Sequence, residues 1–290
     1  MISPDSGQPS LEAPPRGADR GIADVGPDSV AWKIHGEVVL LLGWGRALLL
    51  QLAHPLVACG VAEHSSFLTE PKGRYRRLWR TLDSMLALTF GPPESAQGIL
   101  RHINGIHDRV HGLLQEDAGS FPAGTSYSAH DPALLRWVHA TLLDTFLLTY
   151  EFYVAPLSLE QKDRYCAEAS WIEAPLGIPE GYLPKTLDEL QRYMKTHLAS
   201  GEIAVTQTAR SLAAEIVSPA RAGPAKPLFR FVRLPAIGLL PEELRIQYGF
   251  SWDKKQEAAL HRSAERIRRL LPWTPSFLRL WPRARRSLLF

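Results

Sequence analysis

The chain has only two cysteines, Cys59 and Cys166, far apart and each in an apolar or helical context. That excludes a disulfide framework and a four-cysteine zinc site, and it suits reduced thiols in a cytoplasm. Cys-x-x-Cys and His-Glu-x-x-His are missing, as are the paired Glu-x-x-His motifs of a four-helix di-iron site. No glycine-rich phosphate loop and no Gly-x-Ser-x-Gly nucleophile elbow occurs, so nucleotide-loop chemistry and serine hydrolysis are not indicated. Charge of one sign is scarce: 33 Lys and Arg against 30 Asp and Glu leave a formal net charge of +3, too little for a dedicated nucleic-acid binder. The longest apolar stretch, Val38 to Ala53, is interrupted by Arg46 and falls short of the roughly 20 residues a membrane span needs. No basic start followed by an apolar core opens the chain, so no secretory signal is expected.

With 45% hydrophobic residues over 290 positions, there is enough apolar material for one large core. No alternation of the strand type is sustained; periodicity of the helical type is. It predicts helices near 29–42, 44–59, 74–90, 94–114, 131–153, 158–173, 186–198, 202–216, 227–234, 241–248 and 252–271. The fold class is therefore all-α, a single large helical domain over 28–250. Residues 1–27, rich in Pro, Gly, Asp and Ser, read as a disordered tail, and 251–290 as a basic helical extension packed on the same domain. In that extension Arg266, Arg268, Arg269, Arg279, Arg283, Arg285 and Arg286 lie among Trp273, Trp281 and leucines. A solvated helix face explains them, and contact with acidic lipid head groups is the other reading.

The segment from Glu37 to His64 sets one arginine and two histidines into an apolar run. Arg46 and His54 are eight residues apart, close to two helical turns, and share a face if the helix is continuous; the expectation, though, is that His54-Pro55 ends or kinks the helix, with the imidazole hydrogen-bonded inside the core, since proline restricts the residue before it. A buried arginine needs a carboxylate, such as Glu37, or an anionic ligand group beside it. His107 and His111, four residues apart in the 94–114 helix, also share a face, where a neutral imidazole has the form that binds metals. His139 sits on a strongly apolar helix and reads as a hydrogen-bonded core histidine.

The order Arg46-Ala-Leu-Leu-Leu-Gln51-Leu-Ala-His54-Pro55, Gly60-Val61, His64-Ser65 and Arg77-Leu-Trp-Arg80-Thr81 resembles the domain shared by rubber oxygenases (latex clearing proteins) and MpaB-type oxygenases. The likeness continues through His107-Asp-Arg-Val110-His-Gly112, Tyr127-Ser-Ala-His-Asp131-Pro132, Trp137-Val-His139-Ala-Thr, Leu176-Gly-Ile-Pro179 and Leu239-Leu-Pro241, covering roughly 30 to 250. The resemblance implies a haem b-dependent oxygenase that takes dioxygen and a small apolar substrate; the cysteine usage suits a cytoplasmic location. It implies His107 as the axial iron ligand, with His111 the alternative. Arg77, Arg80 and Thr81 fall on a motif that affects haem retention or activity, and Glu63 lies near an acidic residue implicated as a base. Arg46, Arg77 or Arg80 would anchor propionates, while His54, His64 and His139 belong to the cofactor's surroundings. Arg80 stands where the rubber enzymes carry a lysine able to occupy the distal iron site, and a guanidinium is a poor ligand. The helices holding Trp137, Leu142 and Phe146 would wall an apolar pocket. Haem binding or gas sensing without turnover, and a haem-free helical ligand-binding protein, are the competing readings.

Overall fold

Asp131 followed by Pro132 starts the longest helix as the sequence predicts: the Asp131 carboxylate accepts a hydrogen bond from the Ala133 N–H at 2.8 Å, and proline occupies the first turn, where its missing N–H does no harm. The structure, a computed structural model, describes residues 26–64, 73–217 and 226–286, without the side chains of 73–79, 226–230 and 286. Of the disordered tail expected over 1–27, residues 1–25 lie outside the described residues.

Among the described residues the chain is all-α with fourteen helices and one small sheet. In order they are α1 (Val30–His35), α2 (Leu41–Leu52), α3 (Pro55–His64), α4 (Gly73–Phe90), α5 (Pro93–His107), β1 (His111–Leu113), β2 (Ser126–Ser128), α6 (Pro132–Tyr153), α7 (Leu159–Ala169), α8 (Leu187–Ala199), α9 (Gln207–Val217), α10 (Lys226–Gly238), α11 (Glu242–Tyr248), α12 (Lys254–Leu270), α13 (Ser276–Arg279) and α14 (Pro282–Arg286).

The core is built around α2, which packs against α6 on one side and α10 on the other. Two glycines allow the approach. A Cβ on Gly43 would collide with Thr149 Oγ1 of α6, and one on Gly45 would meet Ala236 Cβ of α10 at 2.5 Å. Leu49, Leu50, Trp137, Phe146 and Ile237 fill the space between. Elsewhere α12 lays Leu260 and Ala264 against the same bundle, with Leu42 and Tyr153 beside Ala264.

Three sequence expectations fail locally, the first being the helix over 29–42, which stops at His35 before a new helical stretch begins at Val38. The helix predicted over 44–59 breaks at Ala53-His54, and the chain turns by 105° between Val38–Leu52 and Pro55–His64, because proline removes the N–H that would continue α2. Arg46 and His54 therefore do not share a helical face. The helix predicted over 94–114 ends at His107, and His111–Leu113 instead pairs antiparallel with Ser126–Ser128, opposing Gly112 to Tyr127. A Cβ at Gly112 would fall 2.7 Å from the Tyr127 hydroxyl oxygen, so glycine is what lets the ring lie across the hairpin. His107 and His111 are thus on different elements.

No single helix among the described residues is long and apolar enough to cross a membrane; the bent pair Val38–Leu52 and Pro55–His64 reaches that length and apolarity only when taken together, and Leu49, Leu50 and Leu56 of it are buried in the bundle.

Candidate functional site

The hairpin β1–β2 closes over α3 and buries a small apolar cluster of Leu56, Leu114, Ala118, Tyr127 and Leu134. Polar groups collect at both ends of that cluster. At the C-terminal end of α3, Tyr127, almost wholly buried, donates its hydroxyl hydrogen to Glu63 Oε2 at 2.5 Å. His64 Nε2 lies 3.3 Å from the same hydroxyl and 3.1 Å from the His111 carbonyl oxygen. The carbonyl can only accept, so His64 carries its proton on Nε2. The Cys59 thiol, one turn back on α3, donates to Glu63 Oε1 at 3.4 Å. Burial, and then the Glu63 carboxylate, push the Tyr127 phenol far above the ordinary tyrosine range and the Cys59 thiol up to about 11. Both groups stay protonated at neutral pH and serve as donors that hold Glu63. The structure thus brings together Glu63, His64 and the His111 backbone, while the His111 ring is exposed.

His107 closes α5 two residues beyond the half-buried Gly105. Its ring stands edge-on to His130, with centroids 5.7 Å apart, and His130 Nε2 meets Asp108 Oδ1 at 2.8 Å. Desolvation, followed by the His130 ring, lowers the His107 pKa and keeps the imidazole neutral. Its Nδ1 is buried without a hydrogen-bond partner among the described residues.

At the other end of α3, His54 is buried against Phe121, ring centroids 5.3 Å apart, and its Nδ1 also lacks a partner. Burial and then the nearby His197 lower its pKa to about 4. His197 in turn stacks on Trp137 at 6.0 Å and lies 4.2 Å from the Tyr193 ring. His139, on the same helix as Trp137, is lowered to about 4 by burial alone, with Nε2 unpartnered. His54 and His139 contrast with His35, a core histidine whose Nδ1 meets Thr89 Oγ1 and whose Nε2 meets Tyr165 Oη, each at 2.8 Å, while His197 Nε2 pairs with Glu202 Oε2 at 3.3 Å. Buried polar atoms without partners are uncommon in folded chains, and near α6 they include Arg136 Nε, Trp137 Nε1 and Tyr193 Oη as well.

Arg46 is buried and paired, as expected, though not with Glu37. Its Nη2 reaches Asp144 Oδ2 at 2.6 Å, Nη1 reaches Thr145 Oγ1 at 2.6 Å and Nε reaches the Leu239 carbonyl at 2.7 Å. Glu37 instead takes a bidentate contact from Arg279. Arg80 and Thr81 are exposed on α4, and the Arg77 side chain lies outside the described residues. A Gly91-Pro92 link joins α4 to α5, and the two helices pack together. Counting outward from that link, Arg77 is about as far along α4 as His107 is along α5.

The expected apolar wall is not hollow: Trp137 and Phe146 are packed inside the main core. A cavity of about 990 Å³ opens elsewhere, between α1, α7 and the α13–α14 segment, with Lys33, Glu37, Tyr150, Arg164 and Arg279 on its walls. Sequence reasoning quoted Tyr127 and His130 within a motif and read Cys59 as a reduced thiol without giving any of the three a place in a site, and it did not single out His197. Only the Tyr127-Ser-Ala-His130-Asp131-Pro132 pattern carried a signal for any of them.

Residues 32–269 match the family described as "ER-bound oxygenase mpaB/B'/Rubber oxygenase, catalytic domain". Two uncharacterized proteins, one of Mycobacterium bovis and one of Mycobacterium tuberculosis, are each 28% identical to the chain over 242 residues, covering 80% of this chain and 85% of the relative. No solved structure matches the chain.

Proposed function

The chain belongs to the mpaB/rubber oxygenase catalytic-domain family, and on that footing we propose that it is a haem b-dependent oxygenase acting on a small apolar, unsaturated substrate, with His107 as the axial ligand. The observation that carries the proposal is the unpartnered, neutral imidazole of His107 at the end of α5. It directly precedes a hairpin that gathers Glu63, Tyr127 and His64 into one hydrogen-bonded group.

The donor set fits the cofactor. Among the described residues no group of three or more His, Cys, Asp or Glu side chains converges as a bare metal ion requires. A macrocycle brings its own equatorial donors and asks the protein for one or two axial ligands. His107 meets that demand because only a neutral imidazole has a lone pair to give. Arg80, exposed on α4, and Arg77 on the same helix would hold the propionates. Arg46 is committed to Asp144, Thr145 and the Leu239 carbonyl. A guanidinium does not ligate iron, so Arg80 would not compete with dioxygen for the metal.

Haem, when bound, supplies the iron at which dioxygen is activated. The protein's share is to manage protons. Glu63 is the group able to accept a proton from a substrate, and it is held in place from two sides, by the Tyr127 hydroxyl at Oε2 and the Cys59 thiol at Oε1. Tyr127 retains its own proton, so it positions the carboxylate and returns a hydrogen bond to it. His64 has its Nε2 proton directed at the His111 carbonyl, leaving Nδ1 as the acceptor.

Absorption spectroscopy of protein purified from cells supplied with haem tests the reading. A Soret band with about one haem per chain, lost in His107→Ala while helical circular dichroism persists, is the expected result. Consumption of dioxygen with isoprenoid-like or unsaturated lipid substrates then separates turnover from binding. Full haem retention in His107→Ala refutes the ligand assignment, and no Soret band at all refutes the cofactor.

A further inference from the structure

The outer face of α12 and the turn after it carry features that the oxygenase reading does not use. The inner face is anchored through Leu260 and Ala264. On the outer face Arg262, Arg266 and Arg269 recur at intervals of four and three, all exposed and with no ion-pair partner among the described residues. Leu270 lies one turn beyond Arg266, and the chain then turns through Leu271–Trp273 into α13. Leu270, Trp273, Phe277 and Leu278 are 64%, 85%, 60% and 61% exposed. Scattered apolar side chains on a surface need no explanation, but four large ones within nine residues form a patch.

This patch is held rigidly. Arg279 grips the buried Glu37 carboxylate with two nitrogens, the Trp281 N–H donates to the Gly36 carbonyl at 3.0 Å, and Ala284 is buried. The exposed rings are therefore presented by a pinned segment, and little ordering would be required to bind. The charge is as uneven as the apolar surface. Residues 251–290 contain ten Lys and Arg against three Asp and Glu, a surplus of seven in a chain whose whole surplus is three. All the rest of the chain is net acidic.

We propose that the arginine stripe of α12 together with the Leu270–Leu278 turn docks on an anionic lipid bilayer. An apolar tip containing Trp and Phe suits the boundary between head groups and acyl chains, and guanidinium groups pair with phosphates on either side of it. A second copy of the chain fits poorly, because a two-fold contact through this patch brings two arginine stripes together. The bilayer matches both halves of the surface at once.

Co-sedimentation of the full chain with vesicles tests this, comparing phosphatidylcholine alone with phosphatidylcholine mixed with phosphatidylglycerol. Binding is expected to the mixed vesicles only and to weaken as salt is added. Arg266→Gln with Arg269→Gln should lower partitioning about five-fold per charge removed. Trp273→Ala should lower it on the order of ten-fold, whereas Trp273→Phe should retain most of the binding. All these side chains are exposed, so unchanged circular dichroism is expected in each variant. Absence of binding to the mixed vesicles overturns the proposal. So does binding to both vesicle types that none of the variants alters. A concentration-dependent dimer that Trp273→Ala dissociates, without vesicle binding, assigns the patch to self-association instead.

Discussion

Replacing Arg46 by methionine distinguishes a structural arginine from a cofactor anchor. The guanidinium joins three parts of the bundle: α2, which carries it; Asp144 and Thr145 on α6; and the Leu239 carbonyl just beyond α10. Methionine keeps much of the stem volume, so the loss falls on the polar contacts. Removing one partner of a buried pair costs about 3–5 kcal/mol. Asp144 is 27% exposed and regains some water, which places the expected loss near the lower end, about 3 kcal/mol, most of it from stranded acceptors at Thr145 and Leu239. For a chain of this size 1 kcal/mol corresponds to roughly 2–4 °C, so the melting temperature should fall by about 6–12 °C. Haem content per folded chain should not change. Thermal denaturation followed by circular dichroism, with the Soret-to-protein ratio measured on the same samples, checks both statements. Adding Asp144→Leu should recover part of the loss by removing the stranded carboxylate. A fall of less than about 2 °C accompanied by loss of haem would refute the reasoning and make Arg46 a propionate ligand.

Burial lowers His35, His54 and His139 to about 4. Between that value and the unfolded value near 6.5 the unfolded chain binds more protons, so stability is complete above about pH 6.5 and declines as pH falls toward 4. Urea midpoints should drop from pH 7 to pH 5, and His54→Asn should flatten that slope by one proton; a slope unchanged by the substitution would place its titration elsewhere. Cys59 and Cys166, raised to about 11 and about 12 chiefly by burial, should react with a disulfide reagent at pH 8 only after unfolding. One fast-reacting equivalent in the folded protein would contradict this. Tyr127→Phe removes the donor to Glu63 Oε2 and should cost about 1–2 kcal/mol of stability. It should also shift the pH profile of oxygen uptake while leaving haem content intact; an unaltered profile would reduce Tyr127 to a packing residue.

The helical class was legible in the sequence because the evidence for it is local and repeated. Apolar spacing of 3.6 residues persists over long segments, and the Asp131-Pro132 start combines a cap with a proline that only a first turn accepts. The need to pair Arg46 was legible too, since a charge set among leucines requires a partner wherever the chain folds. Which partner it finds was not. Asp144 and Leu239 lie about a hundred and about two hundred residues further along, and only the packing of α2 between α6 and α10, through Gly43 and Gly45, brings them within reach. The same holds for the candidate site. Helical periodicity assigned His107 and His111 to one face because only Gly105 and Gly112 locally disfavour a helix there. The pairing of His111–Leu113 with Ser126–Ser128, a contact that only hairpin closure creates, turned that segment into a strand and carried Tyr127 over to Glu63 and His64. Residue types and short-range spacing are written in the chain, whereas the meeting of side chains from distant segments depends on how the core closes.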